Sequence, residues 1–167
     1  MARLKPLPAV WLISDARNDA ALAAALAKLP RGSGFIFRHF HLAPAQRRAR
    51  FAALLRIARG REHVVALGGS RAQARRWGAD LAFGPGGDLA PVHSLRELAR
   101  VRGAAALLVS PAFATRSHPG AAPLGPLRWR LLAARSALPV IALGGMNPRT
   151  AKRLNWPRWA GIDAFLR

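Results

Sequence analysis

The chain has 167 residues, of which 51% are hydrophobic, so it can bury a core, and it contains no cysteine, which excludes disulfides, thiolate nucleophiles and zinc–thiolate sites. Its 27 Lys and Arg outnumber 7 Asp and Glu, and the net charge of +20 predicts an anionic partner: a nucleic acid, an anionic membrane or a phosphorylated ligand. The sequence shows neither the roughly 20 apolar residues that a membrane helix needs nor a signal-peptide pattern. We therefore expect a cytoplasmic protein that does not bind membranes.

Short apolar runs of strand length recur along the chain, with helical segments between them. Several of these runs are apolar throughout, which is typical of strands that are covered on both faces. The eight predicted strands lie at residues 9–13, 34–37, 63–67, 81–83, 91–93, 106–109, 139–143 and 161–166. The predicted helices lie at residues 15–28, 44–59, 70–77, 94–101, 126–137 and 148–154.

This alternation predicts a parallel sheet, and eight such strands predict an α/β (β/α)8 TIM barrel that forms one domain over residues 1–167. An open, doubly wound sheet is the alternative. The barrel would be shortened, because a typical one has about 250 residues. Residues 84–90 are too few for a helix between strands 4 and 5, and the final helix is expected to be reduced or absent. Self-association into a homo-oligomer is one way to cover the barrel wall that this leaves bare.

Two loops at the predicted C-terminal mouth carry candidate phosphate-binding residues, since ligands of such barrels bind there. After strand 7, Gly144 and Gly145 let the backbone approach a ligand and precede a helix start, where N–H groups favour an anion. A tight turn that needs glycine is the alternative. The loop after strand 6 offers hydroxyl, guanidinium and imidazole donors for phosphate oxygens at Thr115, Arg116, Ser117 and His118.

Four segments together carry a resemblance to a known family. The sequence SPAFATRSHPG at 110–120, with PVIALGGM at 139–146, VHSLREL at 92–98 and WLISD at 11–15, resembles the thiamine phosphate synthase/TenI family. The likeness is most specific over residues 92–146. The resemblance implies a (β/α)8 barrel and a function in thiamine metabolism, with a phosphorylated thiazole or pyrimidine as the small-molecule partner.

The resemblance also implies site residues that this chain keeps only in part. Family synthases couple a pyrimidine diphosphate to a thiazole phosphate with the help of magnesium. Of their strand-2 motif Gln-Leu-Arg-x-Lys, Arg38 is kept as a phosphate-binding residue, whereas Ile36 and Phe40 replace the glutamine and the lysine. Their Asn-Asp-Arg after strand 3 falls on GGS at 68–70. Asp88 alone matches an acidic metal position, so a Mg²⁺ cofactor would depend on that residue.

Three histidines are candidates for acid–base chemistry by residue type, namely His39, His93 and His118. A hydrogen-bonded structural histidine is the alternative for each of them. The histidine that TenI uses at the end of strand 6 falls on Pro111. No catalytic residue is therefore assigned.

Three interpretations stay open. The first is a TenI-like protein that binds a phosphorylated thiazole or pyrimidine at the barrel mouth, with degenerate metal and diphosphate residues. The second is an active thiamine phosphate synthase, a transferase. The third is a noncatalytic basic protein that binds nucleic acid or acidic surfaces through arginines of two adjacent helices, which are Arg47, Arg48, Arg50, Arg56, Arg59, Arg61, Arg71, Arg75 and Arg76. Further arginines on other helices and the lack of a nucleic-acid module favour the first over the third.

Overall fold

The computed structural model describes residues 6–116, 120 and 122–165. Eight parallel strands close into a barrel in chain order, and β1 pairs with both β2 and β8. The strands are β1 (Val10–Ile13), β2 (Gly34–Phe37), β3 (Val64–Gly68), β4 (Leu81–Phe83), β5 (Leu89–Val92), β6 (Ala106–Val109), β7 (Val140–Ala142) and β8 (Trp159–Gly161). The closed barrel confirms the predicted (β/α)8 architecture, and the alternative prediction of an open, doubly wound sheet is wrong.

Helices follow most of the strands, and short polar side chains start several of them. A 3-10 helix (Ala16–Ala21) leads directly into the first α-helix. The side chains of Ser70, Ser94 and Asn147 accept backbone N–H hydrogen bonds at the starts of the third, fourth and sixth α-helices. The six α-helices within the described ranges are α1 (Leu22–Lys28), α2 (Pro44–Gly60), α3 (Arg71–Trp77), α4 (Leu95–Leu98), α5 (Gly125–Ala133) and α6 (Pro148–Leu154).

The strands are apolar throughout because both of their faces are buried. One set of alternate strand residues fills the barrel interior, and the other set packs against the helices in two further apolar clusters. Trp11 is the largest interior side chain, and a Cβ at Gly34 would lie only 2.0 Å from its ring. Glycine at position 34 is therefore what lets the indole fit. The interior set is Trp11, Ile13, Ile36, Val64, Ala66, Leu89, Ala106, Leu108, Ile141 and Ala160.

The connection between β4 and β5 is a turn. Residues 84–88, all of them described, contain no helix, as the sequence predicted. The Gly84 N–H donates to the Leu89 carbonyl, and Phe83 pairs with Leu89 across the two strands. Asp88 closes the turn, because its Oδ2 accepts the N–H of Ala82 in β4 at 2.8 Å.

The predicted position of the last strand, at residues 161–166, is wrong. β8 is Trp159–Gly161, where the Trp159 N–H donates to the Ala9 carbonyl and Ala142 of β7 pairs with Trp159. The apolar residues 161–166 resemble a strand, but residues 162–165 form a bend and a turn that place the Phe165 ring 5.4 Å from Trp159. The Ile162 and Phe165 side chains are apolar because they pack against the core clusters, not because they join the sheet; residue 166 lies outside the described residues.

Several other boundaries also differ from the prediction, and α5, for example, ends at Ala133 rather than at residue 137. β5 begins at Leu89 rather than at residue 91, because Leu89 already pairs with β4 and β6. α4 ends at Leu98 rather than at 101. Within the ranges that the structure describes, every helix is too short or too polar to cross a bilayer.

Candidate functional site

A cavity of about 1010 Å³ opens at the C-terminal ends of the strands. It reaches from Ile13 of β1 and Arg38 after β2, past the residues after β5, β6 and β7, to Gly161 of β8. Arg38, Thr115, Arg116, Gly144 and Gly145 all line this cavity, so the structure brings these five predicted site residues together. Ser117 and His118, which were also predicted, lie outside the described residues.

Three arginines give the cavity a positive lining. Arg38, Arg116 and Arg149 are among its lining residues, and Asp163 is the acidic residue among the described ones. Asp163 already lies 3.7 Å from Arg17. Guanidinium groups bind phosphate oxygens in a bidentate manner, so this wall fits a phosphorylated ligand. Arg149 was not predicted; its position at the start of the helix after the Gly-Gly loop was the signal in the sequence.

The two glycines after β7 allow the loops after β6 and β7 to pack against each other. Gly144 and Gly145 have positive φ angles of 93° and 62°. A Cβ at Gly144 would lie 2.6 Å from Pro111 Cα, and one at Gly145 would lie 2.4 Å from the Ala114 carbonyl oxygen. The Phe113 N–H donates to the Gly144 carbonyl across the same contact. The glycines therefore shape the cavity wall.

The start of α6 is capped by its own side chains. Asn147 Oδ1 accepts the N–H groups of Arg149 and Thr150, at 2.9 Å and 3.1 Å. Thr150 Oγ1 in turn accepts the Asn147 N–H and donates to the Gly145 carbonyl. Helix N–H groups were predicted to face an anion here; instead Asn147 accepts two of them, and Arg149 is the cationic residue of this helix start that lines the cavity.

The backbone of Arg38 is held on both sides. Its N–H donates to Ser14 Oγ at 2.7 Å, and its carbonyl accepts from Arg47 Nε at 2.8 Å. Ser14 is completely buried at the end of β1. Because the backbone N–H and carbonyl of Arg38 both have fixed partners, the direction in which its side chain leaves the backbone is also fixed.

His39 connects the backbone of Arg38 to the partly exposed ion pair of Asp19 with Arg50. Its Nδ1 lies 2.9 Å from Ser14 Oγ, and its Nε2 lies 2.6 Å from Asp19 Oδ1, which also accepts from Arg50 Nε. Burial lowers the pKa of His39, against the opposing effect of Asp19. Burial acts to raise the pKa of Asp19, but hydrogen bonds from Arg50 and His39 lower it overall. His39 is therefore a hydrogen-bonded structural histidine, which holds Ser14 and Asp19 in place beside the cavity.

Arg47 is buried, although the sequence analysis placed it in an exposed basic patch. Only 7% of the residue is exposed, and its NH2 donates to the Gly68 carbonyl at 2.6 Å. Its guanidinium lies 4.8 Å from the Phe40 ring centroid and 5.3 Å from that of Trp77. Arg47 therefore joins the ends of β2 and β3 with a buried positive charge.

Other arginines of the proposed nucleic-acid patch also hold the fold together. Arg50 pairs with Asp19 and Arg59 with Asp80, at 2.8 Å and 2.7 Å. The patch members whose side chains bind protein groups are Arg47, Arg50, Arg59, Arg61 and Arg71. These contacts reduce the number of patch cations that are available to an acidic polymer.

Asp88, the predicted metal ligand, does not line the cavity. Both of its carboxylate oxygens have protein partners: Oδ1 accepts from Arg71 Nε at 2.7 Å, and Oδ2 accepts the Ala82 N–H. It precedes β5, whereas the cavity lies beyond the ends of the strands. The described residues contain no group of three or more His, Asp or Glu that could hold a metal ion. These contacts do not fit the set of open, hard oxygen ligands that Mg²⁺ needs.

His93 lines the cavity and already has a partner. Its Nδ1 lies 2.9 Å from Glu97 Oε2, which also accepts the His93 N–H. The hydrogen bond from His93 lowers the pKa of Glu97. This pair anchors the start of α4 and also presents an exposed imidazole to the cavity.

Comparisons with known proteins agree with this geometry. A family model described as thiamine monophosphate synthase matches residues 87–164, which contain most of the cavity wall. A solved structure of thiamine phosphate pyrophosphorylase from Pyrococcus furiosus aligns with 96% of this chain and 87% of its own, at 20% identity and a TM-score of 0.77. The search of curated proteins finds no match. The chain therefore resembles the thiamine phosphate synthase/TenI family, in sequence over residues 87–164 and in fold over nearly its whole length.

Proposed function

We propose that this protein acts in thiamine metabolism and binds a phosphorylated thiazole or pyrimidine at the C-terminal mouth of its barrel. The family match over residues 87–164 supports the metabolic context. The cavity supports the ligand class, because its volume of about 1010 Å³ is at the upper end of ordinary ligand pockets. Such a volume accepts a heterocycle together with its phosphate.

The observation that carries the proposal is the presence of three arginines in the wall of one cavity. Arg38 follows β2 directly, Arg116 lies in the loop after β6, and Arg149 lies at the start of α6; a single carboxylate accompanies them among the described lining residues. Each guanidinium can donate two parallel hydrogen bonds to phosphate oxygens. The backbone of Arg38 is fixed by Ser14 and Arg47, and that of Arg149 by its place in the capped start of α6.

Calorimetric titration with thiazole phosphate, thiamine phosphate and inorganic diphosphate tests the proposal. We expect at least one of them to bind with a submillimolar Kd, and Arg38→Ala to weaken that binding by about tenfold or more. Arg56→Ala is the matched control, since it removes an exposed arginine of α2 that does not line the cavity. No binding at millimolar ligand would contradict the proposal.

An active thiamine phosphate synthase is the second candidate, which the description of the matching family favours. It is tested by product formation from the two substrates in the presence of Mg²⁺. Comparison with Asp88→Ala separates a metal-binding role of Asp88 in catalysis from its structural contacts with Arg71 and Ala82. Turnover that the substitution abolishes without unfolding the protein would support a catalytic role, whereas unchanged turnover would leave Asp88 with its structural contacts alone.

The cytoplasmic location and the homo-oligomer that the sequence favoured remain predictions. Size-exclusion chromatography coupled to light scattering tests the second. Any assembly must leave the mouth cavity open to its ligand.

A further inference from the structure

The acidic side chains of this protein are all engaged with positively charged or imidazole groups. The chain has 7 Asp and Glu, and each of them lies within the described residues. Each lies within 4.0 Å of an arginine or histidine nitrogen. The pairs are Asp15 and Asp163 with Arg17, Asp19 with His39 and Arg50, Glu62 with Arg31, Asp80 with Arg59, Asp88 with Arg71, and Glu97 with His93.

A metal that bridges phosphate oxygens needs carboxylate or other hard oxygen ligands beside the phosphate. Asp163 is the carboxylate that the described cavity wall offers, and it is near Arg17. Asp88 would have to break its bonds to Arg71 and to the Ala82 N–H, which join α3, β4 and the start of β5. A metal site that used Asp88 would therefore break contacts that stabilise the fold.

The buried side chain of Arg47 also places a positive charge at the ends of β2 and β3. The buried guanidinium of Arg47 donates to the carbonyl oxygens of Arg38 and Gly68. These two carbonyls are hard oxygen atoms near the mouth, and the arginine occupies them. A divalent cation placed beside Arg47 would also meet like-charge repulsion in a partly desolvated setting.

We propose that the mouth binds its phosphorylated ligand as the free anion, with the charge neutralised by Arg38, Arg116 and Arg149 in place of a divalent cation. This inference rests on the proposed function, whose ligand class it keeps, and it adds the ionic form of the ligand. Because a magnesium complex of diphosphate carries less negative charge than free diphosphate, it is the weaker ligand of an all-arginine site. Added Mg²⁺ then acts as a competitor for the ligand.

The experiment is a calorimetric titration of inorganic diphosphate into the full-length protein, in chelator and in millimolar Mg²⁺ at matched ionic strength. The expected result is a Kd for diphosphate that is severalfold weaker in Mg²⁺. A Kd that is unchanged or tighter in Mg²⁺ would overturn the inference. Thiazole phosphate, titrated in the same two buffers, should give the same Kd in both.

Asp88→Asn provides a second readout. The wild-type contacts predict a lower melting temperature, because the amide replaces a charged acceptor of Arg71, and an unchanged Kd for diphosphate in chelator. A Kd for diphosphate that Mg²⁺ makes tighter in the wild type but not in the variant would assign the metal role to Asp88 and overturn the inference.

The outcomes separate this inference from the proposed function. Binding that requires Mg²⁺ overturns the free-anion inference and leaves the proposed ligand class in place. No binding of any of the phosphorylated ligands in either buffer overturns both.

Discussion

At the scale of single residues, the position of Arg38 in the cavity wall depends on side chains that do not line the cavity themselves. Ser14 Oγ accepts the N–H of Arg38, Arg47 Nε donates to the Arg38 carbonyl, and Ser14 is held in turn by His39. His39 has a positive φ of 39°, which is uncommon for a residue with a side chain. The chain Asp19–His39–Ser14 thus keeps an unfavourable backbone in place beside the cavity.

Replacement of Ser14 tests this positioning role. Ser14→Ala removes the acceptor of the Arg38 N–H, so we expect affinity for the phosphorylated ligand to fall by about tenfold, as for the loss of one buried hydrogen bond. The loss should be much smaller in an Arg38→Ala background, because the arginine that Ser14 positions is then absent. Ser136→Ala is a matched control, since its hydroxyl bonds Leu138 in the loop before β7, outside the cavity lining. Equal losses in both backgrounds would exclude the positioning role.

The pH dependence of stability tests His39. Burial holds its pKa below the ordinary value, so the unfolded chain binds a proton at higher pH than the folded one does. Stability from the neutral imidazole is therefore present above about pH 6.5 and is lost as pH falls below it, toward the folded pKa. Besides Ser14, the polar and charged groups around the ring are Asp19, His41 and Arg50.

We expect the stability difference between the wild type and His39→Asn to shrink as pH falls from about 7.5 to about 5.5. Urea unfolding followed by circular dichroism measures it at each pH. Asp19 contributes in a separate, more acidic window, because its lowered pKa gives stability that is lost only as pH falls below about 3.9. A difference that stays constant over the higher range would show that the His39 proton does not couple to folding there.

At the scale of elements, the contact between the loops after β6 and β7 forms one wall of the cavity. Phe113 of the first loop bonds the Gly144 carbonyl of the second, and Arg153 of α6 lies 5.6 Å from the Phe113 ring. A Cβ at Gly144 would clash with Pro111, so the absence of a side chain at Gly144 lets the two loops pack together.

Gly144→Ala is expected to lower both stability and affinity. Its Cβ would lie 2.6 Å from Pro111 Cα at a φ of 93°, so strain and displacement of the loop together cost about 2–4 kcal/mol. Gly86→Ala is the control, since it has a similarly positive φ of 73° but an empty surrounding within 4 Å. Thermal unfolding and calorimetry measure the two effects. Similar losses in the two variants would mean that backbone strain, and not the loop contact, is responsible.

The elements also show how far the sequence could be interpreted. β2, β4, β6 and α6 lie at the predicted residues, because apolar runs and a capping Asn147 leave few alternatives. β8 was misplaced, since an apolar turn packed on Trp159 has the same composition as a strand. The loop residues of the site could be predicted because they follow strands of the barrel. The roles of Ser14, His39 and Arg47 could not, because they depend on contacts between residues that are distant in sequence. Arg47 in particular has the pattern of a solvent-exposed arginine on a helix.

At the scale of the whole molecule, the charge has two distinct parts. Each of the 7 carboxylates is near a cation or a histidine, so the net charge of +20 resides in the many arginines left over. Three arginines line the mouth cavity, and the other described arginines lie on helices and in the loops between elements. Repulsion among them opposes the compact state.

Moderate salt is therefore expected to raise the melting temperature. Between about 0.02 M and about 0.3 M NaCl, screening weakens the repulsion among the excess cations more than it weakens the ion pairs. Differential scanning calorimetry measures the shift. A melting temperature that falls over this range would mean that the ion pairs around Asp19, Asp80 and Asp88 outweigh the repulsion.

The helix-free turn between β4 and β5 has a consequence for the order of folding. Parallel strands ordinarily meet only after a long crossover has formed, whereas Phe83 and Leu89 pair across residues 84–88 alone. Loop closure over so few residues is entropically cheap and rapid. This strand pair is consequently the parallel contact that can form first, as a local nucleus onto which the more distant strands add.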